Sequence, residues 1–124
     1  MIHATEARVA TPNARKYALQ LGKHWGHNLH VTEAGDARLV TFPKNARGAQ
    51  WEGDAIVTLR PEGDTLVCRI DASEANQREG LKSAVERHIE RFAFREEALS
   101  FAWIDRMPPA EDAAPSDGEV QGQA

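Results

Sequence analysis

Three histidines stand three residues apart in Lys23-His24-Trp25-Gly26-His27-Asn28-Leu29-His30, and another lies in Glu86-Arg87-His88-Ile89-Glu90-Arg91-Phe92. Imidazole nitrogen ligates zinc, copper, iron and nickel, and it titrates near neutral pH, so it also serves as a general base. His24, His27 and His88 together supply three nitrogens for a metal, with Fe or Zn as the expected ion. Positions would remain open for substrate or water. The same residues also have a structural role open to them. His88 sits on an apolar stripe, where one hydrogen bond satisfies it. His24 and His27 fall near a helix end whose partial negative charge favours imidazolium.

Arg91 and Arg95 are four apart and interleave with Phe92 and Phe94. Guanidinium forks a carboxylate, phosphate or catecholate through paired N–H donors. The alternative is that both arginines neutralise the helix terminus and pair with Glu90, Glu96 or Glu97. Of the tryptophans, Trp25 is expected to join Arg91 and Arg95 in binding a ligand, because pockets are rich in aromatic side chains. Trp25 and Trp103 read equally well as plain core packing, whereas Trp51, stranded in a polar loop, is the one whose exposure would be informative. The sequence contains no Gly-x-Ser-x-Gly elbow, P-loop, Gly-x-Gly-x-x-Gly or Cys-x-x-Cys. No catalytic residue is assigned on sequence.

These side chains need elements to hold them. Residues 3–10 read as a strand. Thr11-Pro12-Asn13 then reads as a helix start, with Thr11 as N-cap and Pro12 at the first helical position. Ala14, Tyr17, Ala18, Leu21 and Trp25 recur at helical spacing and predict one apolar face ending near Gly26. Residues 29–33 and 37–42 are strands joined by the turn Ala34-Gly35-Asp36. Residues 43–53 form an irregular polar loop. Residues 55–60 and 65–71 alternate around Pro61-Glu62-Gly63-Asp64, the clearest hairpin of the chain. Cys68 shares the inner face of its strand with Leu66 and Ile70 and is expected to be a buried small hydrophobe.

Ser73-Glu74 opens a long helix with an acidic first turn, and Leu81, Ala84, Val85, Ile89 and Phe92 make its apolar stripe. At about 100° per residue, His88 falls close to the centre of that stripe and His24 at the edge of the other. Gly80 inside the helix costs roughly 1 kcal/mol relative to alanine. A further short edge strand is expected in 99–104. The order β-α-β-β-β-β-α predicts a two-layer α+β domain, an antiparallel sheet with two helices on one face. The topology resembles that of the TATA-binding-protein-like folds, an analogy of fold that transfers no DNA function.

The chain of 124 residues carries 15 Lys+Arg, 19 Asp+Glu and a formal charge of −4. No basic residue follows Arg106, whereas Glu111, Asp112, Asp117 and Glu119 do. Residues 1–106 are therefore neutral and are expected to form a single domain. Residues 107–124 are expected to be a disordered acidic tail, too poor in apolar side chains to order itself. A neutral domain without a basic run is not expected to bind nucleic acid. No window reaches the apolar length of a membrane span. The initiating Met1, the lack of a signal-like start and the single cysteine lead us to expect a cytoplasmic chain.

Two stretches carry a family resemblance. One is Ala10-Thr11-Pro12, Tyr17 and Leu21-Gly22-Lys23-His24-Trp25-Gly26-His27. The other is His88-Ile89-Glu90-Arg91-Phe92-Ala93-Phe94-Arg95-Glu96-Glu97. Over about residues 3–104 the chain resembles the small bacterial family known as domain of unknown function 2218. That family has a Lys-His-aromatic-x-His helix end and a His-x-Glu-Arg-Phe-Ala-Phe-Arg-Glu helix. Residues 43–53 depart from it, with Phe42-Pro43-Lys44-Asn45 where the family has Phe-Pro-Phe-Gly. The resemblance places the family motif on His24, His27, His88, Arg91 and Arg95. It also implies an accessory role beside siderophore-interacting flavin reductases.

Three functions follow as expectations. The leading one is a binding or accessory module for a ferric siderophore, another metal chelate or an anionic small molecule, partnered by a siderophore-interacting reductase. The second is a structural homodimer without a ligand. The third is a small enzyme with His24 or His88 as general base. Binding is expected rather than catalysis.

Overall fold

The computed structural model describes residues 2–96 and 99–106. The expected tail, 107–124, lies outside the described residues. Eight main elements follow in the order β1 (His3–Ala10), α1 (Ala14–Trp25), β2 (His30–Ala34), β3 (Ala37–Phe42), β4 (Ala55–Glu62), β5 (Thr65–Ala72), α2 (Ala75–Phe92) and β6 (Ile104–Arg106). A short 3-10 turn, Ala46–Gly48, lies between β3 and β4. The strands form one antiparallel sheet in the order β2-β3-β4-β5-β1-β6. Both helices pack on one face of it, as the alternation and helical spacing predict. No helix among the described residues is long and apolar enough to cross a membrane.

Strand alternation sets the core. Thr5, Ala7 and Val9 of β1, Val57 and Leu59 of β4, and Leu66, Cys68 and Ile70 of β5 all point beneath the helices and are buried. Leu21 and Trp25 of α1 meet Val85 and Ile89 of α2 in the same cluster. Cys68 is fully buried there, and burial pushes its thiol up to about 12. It is an inert core residue. Neither helix covers the opposite face of the sheet. There Val67 is buried although its register partners are Arg8 and Arg60, whose aliphatic stems can flank it.

Helix starts depart from the expected ones in instructive ways. Helix α1 begins at Ala14 with Asn13 as N-cap, two residues later than Thr11 and Pro12 suggest. The Thr11 hydroxyl does accept the Asn13 N–H at 3.1 Å, but it also donates to Glu96 at 3.0 Å. A distant carboxylate has taken over the polar groups at this helix start. Helix α2 likewise has no acid in its first turn. Glu74 is its N-cap residue in extended conformation, and its carboxylate accepts the Glu52 N–H at 2.7 Å.

Helix α1 lies so close to β3 that glycine is required at position 22. A Cβ there would stand 2.8 Å from Arg38 Cγ and 3.1 Å from Arg38 Cβ. Arg38 cannot easily retreat, because its Nη1 donates to Gly35 O and Ala37 O, both at 2.9 Å. Gly22→Val is expected to cost about 1–3 kcal/mol by overpacking. Gly22→Ala should cost less, since a gain of about 1 kcal/mol in helix propensity offsets part of the clash. Equal denaturation midpoints for Gly22→Val and the wild type would contradict this account.

The segment after α2 returns along it. Trp103 Nε1 donates to Glu86 at 2.6 Å, and Asp105 of β6 takes Lys82 at 2.8 Å and Arg78 at 3.3 Å. These contacts hold β6 at the sheet edge, slightly beyond the strand expected in 99–104.

Candidate functional site

The end of α1, the middle of α2 and the loop between β3 and β4 enclose a groove of about 600 Å³. That volume lies in the range of small-molecule sites. Trp25 and His24 come from the last turn of α1, and Phe42 and Trp51 from the flanks of the loop. Gly80, Leu81, Ala84, Arg87 and His88 line it from α2. The flat side chains contact one another: Trp25 meets Phe42 edge-on at 5.0 Å between ring centroids, and both Trp25 and His24 lie 5.2 Å from the His88 ring.

The loop is not free. Lys44 N–H donates to Asp54 at 2.8 Å, and Trp51 N–H donates to Lys44 O at 2.9 Å. Its far end is tied to the start of α2. Gln77, only 3% exposed, donates from Nε2 to Gly53 O at 3.0 Å. Its Oε1 accepts the Ser73 N–H at 2.8 Å and lies 2.6 Å from the Ser73 hydroxyl. Ser73 Oγ in turn accepts the Gly53 N–H at 3.0 Å. This buried network is what places Trp51 on the groove wall. Half-buried Trp51 thus answers the question its position in a polar loop raised.

His88 is held in one tautomer. Its Nδ1 lies 2.6 Å from Ala84 O, one turn back on the same helix. A carbonyl oxygen only accepts, so Nδ1 carries the proton and Nε2 keeps its lone pair in the neutral ring. Burial holds the His88 pKa below its ordinary 6.5, and the nearby positive charges of His24, Arg87 and Arg91 act the same way against the Ala84 hydrogen bond. The ring is therefore neutral at pH 7. A histidine titration followed by NMR is expected to show His88 with a midpoint below 6.5, and a midpoint above it would refute the assigned environment.

The structure sorts the expected site residues. His24, His88 and Trp25 come together at the groove. His27 is exposed beyond the end of α1 and does not line it; its N–H donates to His24 O at 3.4 Å. Arg91 is exposed on the last turn of α2 and does not line it either. Arg95 lies past the helix end, with its guanidinium 5.3 Å from the Phe94 ring centroid. The two arginines are not a clamp on one helical face, because α2 stops at Phe92 and the chain turns, Glu96 N–H donating to Ala93 O at 2.9 Å. Arg87 takes the groove position instead. Spacing could have found it, since it precedes the stripe histidine. Gln77 could also have been found, four residues before Leu81 on the same stripe.

The donor set does not fit a protein-held metal. Among the described residues no group of three or more His, Cys, Asp or Glu side chains converges. Two imidazoles fall short of the three protein ligands of catalytic zinc sites or the four of structural ones.

The fold is shared with a solved structure. The Pseudomonas aeruginosa protein PA4090, determined by NMR, is similar over 84% of this chain and 96% of that one, with a TM-score of 0.63 and 24% identity. No curated protein matches the sequence. The family model described as "Uncharacterized protein conserved in bacteria (DUF2218)" matches residues 6–104, through both helices and the groove between them, and the chain belongs to that family.

Proposed function

We propose that this chain is a binding module whose groove holds a flat, anionic small molecule. The observation that carries the reading is Gly80. It lies in the interior of α2, where glycine costs roughly 1 kcal/mol relative to alanine. A Cβ built there meets nothing within 4 Å, so packing does not require glycine. What the missing side chain does leave is open space on the groove wall, which Trp51 and His88 also line. Aromatic rings suit a planar ligand, and Arg87 suits its negative charge. A ferric chelate would enter as such a ligand, through its own aromatic or anionic groups and not through coordination by the protein.

Gly80→Leu tests this. Leucine should leave folding intact or raise stability by up to about 1 kcal/mol, while its side chain fills the groove. With the aromatic sulfonate dye ANS as probe, the wild type should bind with dye enhancement and tryptophan quenching. Gly80→Leu should lose about tenfold or more in affinity, equivalent to about 1.4 kcal/mol. Unchanged dye affinity in a folded Gly80→Leu protein would show that the groove is not the site.

A further inference from the structure

We infer that the ligand is a phenolic acid, an aromatic ring bearing a carboxylate and a hydroxyl that donates to His88 Nε2. This rests on the groove being a small-molecule site and names its ligand class. The inference comes from counting what each polar group at the groove still has to offer. Gln77 offers no acceptor: it is buried, its amide oxygen takes both Ser73 donors, and its nitrogen gives one of its two N–H groups to Gly53 O. His88 has given its only N–H to Ala84 O, and its Nε2 has no hydrogen-bond partner among the described residues, so it remains an acceptor. Arg87 is exposed and has no acidic partner among the described residues, so its N–H donors are available.

A neutral acceptor beside a free guanidinium is a restrictive pair. The acceptor requires a donor from the ligand. A cationic donor such as an ammonium is disfavoured, because Arg87 and Arg91 already place positive charge around His88. The donor must therefore be neutral, and a hydroxyl is the simplest such group. The guanidinium requires an anion, and a carboxylate matches its fork. Arg87 and His88 are consecutive on α2, so they project about 100° apart. The acid and the hydroxyl must then occupy separated positions on the ligand. Trp25, Trp51 and Phe42 supply flat apolar surfaces for the ring that joins them.

Titration calorimetry with benzoate, phenol, and meta- and para-hydroxybenzoate tests the inference on the full chain. In the wild type at neutral pH, at least one hydroxybenzoate isomer should bind about three- to tenfold tighter than benzoate, the worth of one neutral hydrogen bond. His88→Phe keeps a flat ring and removes the acceptor, so it should erase that difference, the ratio of hydroxybenzoate to benzoate affinity falling to about one. Arg87→Gln should weaken benzoate and hydroxybenzoate together by about tenfold, a larger loss than for phenol, which has no carboxylate. Equal affinities for benzoate and both isomers in the wild type would overturn the inference, as would a preference that survives in folded His88→Phe. If no benzoate binds while ANS binding still depends on Gly80, the phenolic acid falls and the groove stands. If ANS binding is also indifferent to Gly80→Leu, both fall.

Discussion

Gln77→Ala is expected to destabilise the fold by about 2–4 kcal/mol, and to free the loop that carries Trp51. Gln77 is buried, and its removal leaves the Ser73 N–H without its amide partner, while Gly53 O keeps only the Ser73 hydroxyl at 3.0 Å. Each buried polar group left unpaired costs about 1–3 kcal/mol. The lost side chain also leaves a gap beside Leu81. The effect has two readouts. Denaturant unfolding should show the drop in stability. The indole N–H resonance of Trp51 should shift in the NMR spectrum of the folded variant, while those of Trp25 and Trp103 move less. A loss of stability with an unmoved Trp51 resonance would mean that the loop is held by other contacts, such as Glu52 N–H on Glu74. Ligand affinity should fall as well, because the groove would lose one wall.

Glu96→Ala should cost about 2 kcal/mol, and its effect should depend on pH. The Glu96 carboxylate accepts from Thr11 Oγ1 at 3.0 Å, from Asn13 Nδ2 at 3.1 Å and from the Tyr17 hydroxyl. It thereby pins the end of α2 to the start of α1. Hydrogen bonds to a charged group are worth about 1.5–3 kcal/mol. Glu96 is partly exposed, which keeps the expected total modest. The bonds from Tyr17 and Asn13 hold its carboxyl below the ordinary 4.5. A depressed carboxyl contributes stability that is present above its unfolded value and lost as pH falls through the folded one. The wild type should therefore weaken progressively below about pH 4.5, and Glu96→Gln should lack that component. Tyr17 behaves in the opposite sense. Burial, and then the Glu96 carboxylate, hold its phenol above the ordinary 10. Its contribution is complete below pH 10 and is lost as the pH rises through the raised value. Removing Glu96 should reduce that alkaline loss. Identical acid limbs for wild type and Glu96→Gln in urea unfolding would sever this link between pH and the helix pairing.

The Glu96 pin also explains why part of the site was hard to read from sequence. Arg91 and Arg95 are four apart and would share a helical face in any continuous helix. The helix ends between them, and no residue local to 92–95 announces that end. The partners that hold the turn, Thr11, Asn13 and Tyr17, are more than 75 residues away in the chain. His27 illustrates the same limit on a smaller scale. Its spacing from His24 matches one helical face, but α1 ends at Trp25 and His27 lies exposed in the turn that follows.

The chain order of the elements, the two apolar helix faces, the central hairpin and the places of His24 and His88 along those faces are all determined by the sequence itself. Each follows from burial of apolar side chains at a period of two or 3.6 residues, a local pattern whose free energy is the same wherever the element docks. The groove was decided by tertiary structure alone. Its wall is a loop with no periodicity of its own, and its place comes from Ser73, Glu74 and Gln77, which lie about 20 residues on. That Arg87 lines the groove while Arg91 and Arg95 do not, and that His88 Nδ1 is engaged by Ala84 O, depend in the same way on where the helices end and what packs beside them. Hydrogen bonds between distant segments carry no spacing signature, so only the folded chain shows which polar groups are already satisfied and which remain for a ligand.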